Sequence, residues 1–463
     1  MNSSNSNGWP VKAIREFART ASGGTPKRGV AAFYNGDIPW VKSGELGDKT
    51  VFEVAERITK LGLESSSAKL FPAGTLCIAL YGATVGKLGI LGIEAATNQA
   101  VCGIFLPPDV DTRYMFRFLE SRRRELIEQG KGGAQPNISQ DIIRNIRVPV
   151  PPLDDQQRIV EEIEKQFTRV DAGVASLQQA QVALKRYRAT VLRAACEGRL
   201  VPTEAELAHK ENRSYEPADV LLQRILNQHR EEWNGKGKYK EPSRPNIVDL
   251  PFPPEGWTYA SVGQLGIVGE QAVMTGPFGT NLGREDFTKT GVPVLTISCL
   301  KEAGVRLEKA EFVSERKAKE LNRYLLRPGD LLFSRMASVG RAGIVTETLH
   351  GALFNYHIMR LRLEPSVLLA KFYIAYVRGG GQVESYLREV NHGATRAGIN
   401  TEQLLNMPVA VPPFAEQQRI VAELERRLSV IEELETVVTA NSQRANRLRR
   451  SILQKAFTKE LPK

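Results

Sequence analysis

The residues that come closest to a catalytic motif form a short glycine-bearing segment. Residues 82–87 read Gly-Ala-Thr-Val-Gly-Lys, the composition of a loop that cradles phosphate through its backbone N–H groups. The segment has one residue too few between its glycines, and Leu88 stands where a Ser or Thr must meet magnesium. A related segment at 337–344 begins with Ala337 instead of glycine. The pattern therefore favours a turn between strands over a nucleotide site.

Other residues with catalytic potential lack the necessary spacing. The five histidines and four cysteines form no Cys-x-x-Cys or His-Glu-x-x-His pattern, so no metal site is predicted. Glu315 and Lys317 match half of a nuclease motif, but no Pro-Asp partner precedes them nearby. Residues 411–414, Val-Pro-Pro-Phe, are similar to the Asn/Asp-Pro-Pro-aromatic motif of amino-methyltransferases, yet a Val side chain cannot hold an amino group. The sequence predicts no catalytic site and no cofactor in this chain.

An internal repeat fixes the organisation of the chain. Residues 150–160 and 411–421 share a Val-Pro-Pro start and a Gln-Gln-Arg-Ile-Val end, and the offset of 261 holds without a gap to the end of both segments. Weaker pairs lie upstream, at 8–9 and 256–257 (Gly-Trp) and at 83–90 and 337–344. The chain is therefore predicted to contain two globular units, each followed by the same kind of segment.

The repeated segments are predicted to be long helices. No Pro interrupts 156–197 or 417–459, and apolar residues recur at alternating steps of four and three, as in a coiled coil. Forty residues at 1.5 Å each give a rod of roughly 60 Å, which cannot bury its own apolar stripe. We expect the two helices to pair antiparallel through the residues Ile163, Phe167, Val170, Val174, Leu177, Leu184, Val191, Ala195, Leu424, Leu428, Ile431, Val438, Ala445, Ile452 and Ala456.

Polar residues interrupt both stripes at matched positions. Gln181 corresponds to Ser442, and Arg188 corresponds to Arg449. Two interpretations remain open for these interruptions. They are either solvated irregularities of the pattern or a device that fixes the register of the paired helices.

The predicted fold class is α+β, with a pseudo-two-fold internal repeat. We expect a first globular domain over 1–149, a long helix over 150–201, a short helix and linker over 202–250, a second globular domain over 251–410 and a second long helix over 411–463. Short β-rich runs at 75–80, 101–106, 294–297, 330–333 and 358–363 alternate with helical patches at 113–129 and 370–390. Both globular domains should therefore contain mostly antiparallel strands and a few helices.

Composition narrows the class of protein further. The chain has 463 residues and a formal net charge of +11. Residues 1–149 carry 19 basic and 14 acidic side chains, 150–250 carry 16 of each, 251–410 carry 18 and 15, and 411–463 carry 10 and 7. This basic surplus permits binding to nucleic acid. The N-terminus has no signal-peptide pattern and no uncharged stretch reaches about 20 apolar residues, so we expect a cytoplasmic protein.

Together these features resemble the specificity subunits of type I restriction–modification systems. The resemblance rests on the Pro-Pro-x-x-x-Gln-Gln-Arg-Ile-Val starts at 151–160 and 412–421, the heptad helices that follow them, the two Gly-Trp pairs, and the Gly-Ala…Ile loops at 133–138 and 393–399. It covers essentially the whole chain. It implies two target recognition domains, each of which reads one half of a bipartite double-stranded DNA sequence, and an antiparallel helical spacer between them.

The resemblance also implies that the chemistry resides in other chains. In such systems the specificity subunit is not an enzyme; it recruits two modification subunits, which methylate adenine with S-adenosylmethionine, and two restriction subunits, which translocate and cleave DNA. We therefore expect S-adenosylmethionine, ATP and magnesium in those partners. We expect no membrane association.

Base contacts are expected from basic and amide side chains on loops common to the two units, because Arg reads guanine and Asn or Gln reads adenine. The candidate DNA-binding residues are Lys42, Lys87, Gln135, Asn137, Arg335, Arg341, Thr395 and Arg396. The alternative is a scaffold that presents two protein-binding modules on a coiled-coil rod. A methyltransferase component with its own catalysis is disfavoured by the missing motif.

Overall fold

Two units, defined by their internal packing, make up the chain. The computed structural model describes residues 9–130, 137–233, 238–279, 281–301, 304–336, 338–392 and 397–457. Unit 1 comprises Met1–Ala180 and Val438–Lys463, and unit 2 comprises Gln181–Val437. Within these described ranges, no helix is long and apolar enough to cross a membrane.

Unit 1 begins with short strands and small helices. Its strands are β1 Val11–Ala13, β2 Arg19–Ser22, β3 Tyr34–Val41, β4 Lys49–Val51, β5 Arg57–Ile58, β6 Leu70–Phe71, β7 Leu76–Ala79, β8 Leu88–Leu91, β9 Ala95–Thr97, β10 Val101–Phe105 and β11 Arg147–Pro149. Its helices are α1 Ile14–Phe17, α2 Lys60–Glu64, α3 Thr112–Gln129 and α4 Gln140–Asn145, followed by the long helix α5 Leu153–Cys196.

The main sheet of unit 1 has the order β2-β10-β7-β8-β4. Its first four strands are antiparallel neighbours, and β4 pairs parallel to β8. A second sheet has the order β5-β3-β9-β6, and β1 pairs with β11. Strands β7 and β10 are buried on both faces because α3 covers one face and the second sheet lies on the other.

Unit 2 repeats this plan with different sequences. Its strands are β12 Thr258–Ser261, β13 Val273–Thr275, β14 Phe287–Thr288, β15 Val292–Leu295, β16 Leu300–Lys301, β17 Gly304–Val305, β18 Glu311–Val313, β19 Leu331–Ser334, β20 Ala342–Ile344, β21 Leu353–Phe354, β22 Ile358–Leu361 and β23 Pro408–Val411. Its helices are α6 Glu204–Glu211, α7 Ala218–Glu231, α8 Glu315–Glu320, α9 Ala370–Gly379, α10 Gly381–Val390, α11 Thr401–Leu405 and the long helix α12 Phe414–Phe457.

The sheets of the two units correspond strand by strand at their centres. The order β13-β22-β19-β20 of unit 2 matches β2-β10-β7-β8 of unit 1, and β12-β23 matches β1-β11. The remaining sheets of unit 2 are β14-β18-β15-β21 and β16-β17. The predicted α+β class, the repeat and the predominance of antiparallel pairing are confirmed.

The repeated start of each long helix has a clear physical role in the fold. Gln156 is fully buried; its amide oxygen accepts a hydrogen bond from the Asp111 N–H at 2.8 Å, and its NH₂ group donates to the carbonyls of Asp109 at 3.0 Å and Pro151 at 2.8 Å. One side chain thus fastens the first turn of α5 to the loop before α3. Because buried backbone groups need partners, this position requires an amide of this length.

Gln417 makes the same three bonds in unit 2. Its amide oxygen accepts from the Leu369 N–H at 2.8 Å, and its NH₂ group donates to the carbonyls of Val367 at 2.7 Å and Pro412 at 3.0 Å. Gln417 is also fully buried and fastens α12 to the loop before α9. The repeat of the first Gln of each Gln-Gln pair is therefore explained by packing. The second Gln, at 157 and 418, is exposed.

Each unit packs its central sheet and helices against one end of both long helices, which run antiparallel there. In unit 1 the early residues of α5 share a core with the last turns of α12, where Phe457 meets the rings of Tyr114 and Phe118 edge-on at 5.4 and 5.3 Å. In unit 2 the last turns of α5 share a core with the first turns of α12. There α9 approaches α5 closely: a Cβ at Gly379 would lie 2.5 Å from the Cβ of Leu192.

The predicted apolar stripes face inward along both helices. Every residue of the two stripes is buried or half-buried, and complete burial occurs at Ile163, Phe167, Val191, Ala195, Leu424, Ile431, Ile452 and Ala456. Val170, Val174, Leu177, Leu184, Leu428, Val438 and Ala445 are half-buried. All of the fully buried residues except Ile431 belong to the apolar core of their own unit.

The matched arginines of the stripes form matched ion pairs between the helices. In unit 2 the Arg188 guanidinium lies 3.0 Å from Glu435 and 3.9 Å from Glu432. In unit 1 Arg449 pairs with Asp171 and lies over the Phe167 ring, 4.1 Å from its centroid. Arg188 and Arg449 are separated by the repeat offset of 261 residues, and so are Asp171 and Glu432. For the arginines, therefore, the structure favours the interpretation that these residues fix register. Gln181 is exposed and Ser442 hydrogen-bonds within its own helix.

Two expectations about helices need correction. The predicted helix over 370–390 is broken at Gly380 into α9 and α10, because the backbone there is extended. The region 202–250 holds α6 as well as the predicted helix, and α7 buries Leu221, Leu222, Ile225 and Leu226 in the core of unit 2. Val220, the neighbouring apolar residue of α7, is 51% exposed.

Candidate nucleic-acid interface

Several loops of unit 1 meet at one edge of its main sheet. Because β2, β7 and β10 are antiparallel neighbours, the ends of β2 and β7 lie beside the start of β10. Backbone hydrogen bonds hold the loops there: Gly23 N–H donates to Val101 O at 3.1 Å, Leu80 N–H to Ala100 O at 2.7 Å, and Ile138 N–H to Leu80 O at 2.7 Å. We call this set of loops the reading edge of unit 1, comprising residues 23–28, 42, 80–87, 98–100 and 137–138.

A polar pair stands at the centre of this edge. The Thr25 hydroxyl donates to the Gln99 side-chain oxygen, and the Gln99 side chain is exposed. Gln99 follows Asn98, whose N–H donates to Val41 O at 2.9 Å and so holds the loop against β3. The edge therefore presents an oriented amide group to solvent.

Lys42 lies beside this pair but is bound to a carboxylate. Its ammonium is 2.6 Å from Glu56, whose other oxygen is 2.7 Å from Arg28. Hydrogen bonds from Lys42 and Arg28, together with their charges, hold the pKa of Glu56 below its usual range. The Arg28 guanidinium also lies about 5 Å from the ring centroids of Tyr34 and Trp40. Two cations around one carboxylate leave this cluster with one net positive charge.

Lys87 is held in the same way at the turn between β7 and β8. Its ammonium is 2.8 Å from Asp48, which also binds Arg123 and accepts the Leu88 N–H at 3.0 Å. Burial opposes ionisation of Asp48, but these donors outweigh it, so the pKa of Asp48 lies below its usual value. Arg123 also donates to the Gly86 carbonyl at 2.8 Å. The segment 82–87, which resembles a phosphate-binding loop in sequence, is thus a turn that is hydrogen-bonded to α3 through Arg123.

The corresponding edge of unit 2 has the same backbone connections. Gly276 N–H donates to Ile358 O at 3.2 Å, Arg335 N–H to His357 O at 3.0 Å, and Ile399 N–H to Arg335 O at 2.9 Å. These bonds match those of Gly23, Leu80 and Ile138. The reading edge of unit 2 accordingly comprises residues 276–279, 335–341 (of which the structure describes all but 337), 355–357 and 397–399.

Aromatic residues and an arginine occupy the centre of the second edge. Phe278 and Tyr356 are 54% and 38% exposed, and their rings stack with centroids 6.0 Å apart. The Tyr356 ring also lies 3.9 Å from that of His357, and the Arg335 guanidinium is 5.9 Å from the Phe278 centroid. Burial and the nearby Arg335 charge lower the pKa of His357 below its usual value, which disfavours the imidazolium form. This edge presents flat apolar surface beside a cation.

Two buried polar atoms next to these rings lack a hydrogen-bond partner within the described ranges. They are Arg335 Nε and His357 Nδ1. An unpaired buried polar atom costs about 1–3 kcal/mol. Such atoms also occur elsewhere among the described residues, for example Asn98 Oδ1 at the edge of unit 1 and His229 Nε2 on α7.

The remaining predicted residues divide into exposed and undescribed positions. Arg341 is exposed; its backbone N–H donates to the Ser334 hydroxyl at 2.9 Å, and its carbonyl accepts from the Ser334 N–H at 2.8 Å. Asn137 is exposed and lines a cleft of about 790 Å³ between α3 and α4. Gln135, Thr395 and Arg396 lie outside the described residues. Of the eight predictions, Lys42, Lys87, Asn137, Arg335 and Arg341 therefore lie at the two reading edges.

The sequence reasoning missed the residues at the centres of both edges. Gln99 and Tyr356 each follow an Asn, at 98 and 355, just before a buried strand. That shared Asn is a usable signal, but the flanking sequences have diverged too far for the repeat to be aligned there by identity. Thr25 follows Gly24 directly and Phe278 lies two residues after Gly276, and both glycines lie at close backbone contacts. Among the described residues, no group of three or more His, Cys, Asp or Glu side chains is placed to bind a metal.

Several known proteins are similar to this chain along most of its length. Similar proteins include the specificity subunit of the type I restriction enzyme EcoKI from Escherichia coli strain K12, 25% identical over 98% of this chain and 89% of that protein. The StySPI specificity subunit from Salmonella potsdam is 27% identical over the same shares. The EcoBI specificity subunit from Escherichia coli is 25% identical over 79% of this chain and 69% of that protein.

Solved structures resemble the fold along nearly the whole chain. One comes from a study of complex assembly and conformational transition of the type I R-M system; it covers 98% of both chains at 18% identity, with a TM-score of 0.65. The HsdS subunit from Thermoanaerobacter tengcongensis covers 99% of this chain and 98% of that one at 18% identity, with a TM-score of 0.53.

A family model matches both halves of the repeat. The model describes the type I restriction modification DNA specificity domain, and it matches residues 6–176 and 255–439. Those two matches each include a globular unit and most of a long helix. On this evidence, the chain belongs to the type I restriction–modification DNA specificity family.

Proposed function

We propose that this chain is the subunit that selects the DNA target of a type I restriction–modification complex, and that its two units read the two halves of an asymmetric bipartite sequence. Family membership favours DNA-sequence specificity over the scaffold interpretation. The observation that carries the proposal is the pair of reading edges. They share one backbone design but carry different side chains.

The difference between the edges supports an asymmetric target. An exposed amide and hydroxyl at 99 and 25 are suited to the donor and acceptor groups of a base edge in the major groove. Aromatic rings and an arginine at 278, 356 and 335 are suited to a thymine methyl group and to guanine. Two identical readers would instead select a palindrome.

The charge distribution supports positioning on the DNA backbone. In unit 1 the Lys42–Arg28–Glu56 and Lys87–Arg123–Asp48 clusters each keep one net positive charge at fixed places. In unit 2 the exposed Arg341 stands at the position of Lys87. Such cations contact phosphates and set orientation without reading sequence.

The two long helices supply the link between the readers. Each helix contributes one end to unit 1 and the other to unit 2, and matched ion pairs fix their register within each unit. A two-helix link of this length gives the two half-sites a set separation. Modification subunits that methylate adenine and restriction subunits that cleave DNA are the proposed partners, and they would bring S-adenosylmethionine, ATP and magnesium.

Selection from a random library of double-stranded DNA tests this function. The full chain, co-expressed with its modification partner, is incubated with the library at two salt concentrations, and the bound DNA is sequenced. We expect a motif of two different short parts separated by an unspecified gap. A single contiguous motif, a palindrome or no enrichment would contradict the proposal.

A further inference from the structure

The reading edges carry different residues at structurally matched positions, and this match can be established pair by pair. In unit 1, Cys102 pairs with Ser22 and Val101 with Ala79. In unit 2, Met359 pairs with Thr275 and Ile358 with Ser334. By these registers, Thr25 of unit 1 is equivalent in position to Phe278 of unit 2. In the same way Gln99 is equivalent to Tyr356, and Leu80 is equivalent to Arg335.

The side chains at these matched positions contact each other in both units. Thr25 hydrogen-bonds Gln99 in unit 1, and Phe278 stacks on Tyr356 in unit 2. The same two loops therefore form a contacting pair twice, once polar and once aromatic. The third position differs as sharply: Leu80 is buried, whereas Arg335 is half-buried beside the rings.

We infer that the residues at these three matched positions determine which bases each unit selects. In one half-site Gln99, oriented by Thr25, reads an adenine. In the other, Arg335, flanked by Phe278 and Tyr356, reads a guanine next to a thymine. The inference rests on the proposed function and names the residues that carry its specificity.

Chemistry favours these assignments over a purely structural role. A Gln amide offers a donor and an acceptor that match N7 and N6 of adenine, and Arg donates two hydrogen bonds to O6 and N7 of guanine. Exposed rings at this edge gain little from folding, but they can cover a thymine methyl group. The Arg335 side chain is half-buried beside the exposed rings, so its guanidinium is the group expected to donate to guanine when DNA is bound.

The neighbouring cations serve a different purpose in this scheme. Lys42 and Lys87 are bound to carboxylates, and Arg341 extends from the rim of the turn. Their contacts are expected with phosphates, which affect affinity for all sequences alike.

The test compares library selections for four full-length variants, each co-expressed with the modification partner. R335K and the double variant F278T/Y356Q, which installs the residues of unit 1, change the edge of unit 2. Q99A changes the edge of unit 1. R316A, at an 84% exposed arginine on α8, is the control. Thermal melting of each variant checks that it is folded, and F278T/Y356Q alters only exposed rings.

The expected result is specific to one half of the motif. F278T/Y356Q, which removes the rings expected to cover a thymine methyl group, should reduce the preference for thymine at one position of one half-site. R335K should reduce the preference for guanine at the adjacent position by about 5- to 150-fold, the range for loss of a bidentate base contact, and both variants should leave the other half unchanged. Q99A should do the same in the other half-site only. R316A should leave the motif intact.

Two outcomes would overturn the inference while the proposed function stands. The wild-type chain would give a bipartite motif, but the folded variants would give the same motif, or would lose enrichment evenly across all positions. If the wild-type chain gives no bipartite motif, the proposed function itself fails and the inference fails with it.

Discussion

Replacement of Gln417 by alanine should destabilise unit 2 strongly. The side chain is fully buried and makes three hydrogen bonds to backbone groups of Leu369, Val367 and Pro412, at 2.7–3.0 Å. Each bond contributes about 1 kcal/mol net, and the partners left behind remain buried without replacement. We therefore expect Gln417→Ala to lower the free energy of unfolding by about 3 kcal/mol or more.

The matched control is the next residue in the same motif. Gln418 is exposed on the first turns of α12, so Gln418→Ala should change the free energy of unfolding by less than about 0.5 kcal/mol. Urea unfolding followed by circular dichroism measures both variants. Hydrogen exchange with mass spectrometry should show that the loop at 367–369 loses protection only in Gln417→Ala. Equal effects of the two substitutions would refute the view that the first Gln fastens the helix to its unit.

Three further predictions follow from single residues. Gly379→Ala should destabilise unit 2 by about 1–3 kcal/mol in urea unfolding, because the new methyl group would meet α5, whereas Gly381→Ala, in open space on α10, should not. Because the pKa of Asp48 is lowered in the folded chain, its ionised form stabilises unit 1 above pH 3.8 and this stability is lost as the pH falls through its folded pKa. Asp48→Asn should therefore be less stable than wild type at pH 6, and the difference should shrink below pH 3.8; a pH-independent difference would contradict this. Arg341→Ala should weaken binding to all DNA sequences alike and reduce the slope of log K against log salt by about 1, while Arg316→Ala should leave the slope unchanged.

Much of the fold could be predicted because it depends on local sequence periodicity and on the internal repeat. Apart from the matched polar interruptions, the apolar residues of the long helices keep their steps of four and three, and every predicted stripe residue is buried or half-buried. The repeat predicted two units of one plan, because each of the two similar helix segments follows a globular unit and weaker matches lie upstream of each copy. By contrast, the break between α9 and α10 depends on the extended backbone at Gly380, which no periodicity reveals.

The reading edges were harder to predict because they are assembled by tertiary structure. Lys87 was selected from the turn 82–87, but its partner Asp48 lies 39 residues away and Arg123 lies on a distant helix. Gln99 and Thr25 are 74 residues apart, and neither belongs to a motif. Pairing of strands β2, β7 and β10 brings these loops together, and sequence identity between the units is lost at these positions.

The central claim is that two linked readers must engage two half-sites at once, and the gap between the half-sites tests it most directly. A duplex that carries the selected motif is compared with duplexes whose unspecified gap is longer or shorter by one base pair, in equilibrium binding to the complex of the full chain and its modification partner. We expect that a gap longer or shorter by one base pair reduces the affinity to that for unrelated DNA, although every specified base is retained. Equal affinity for all three gaps would contradict it.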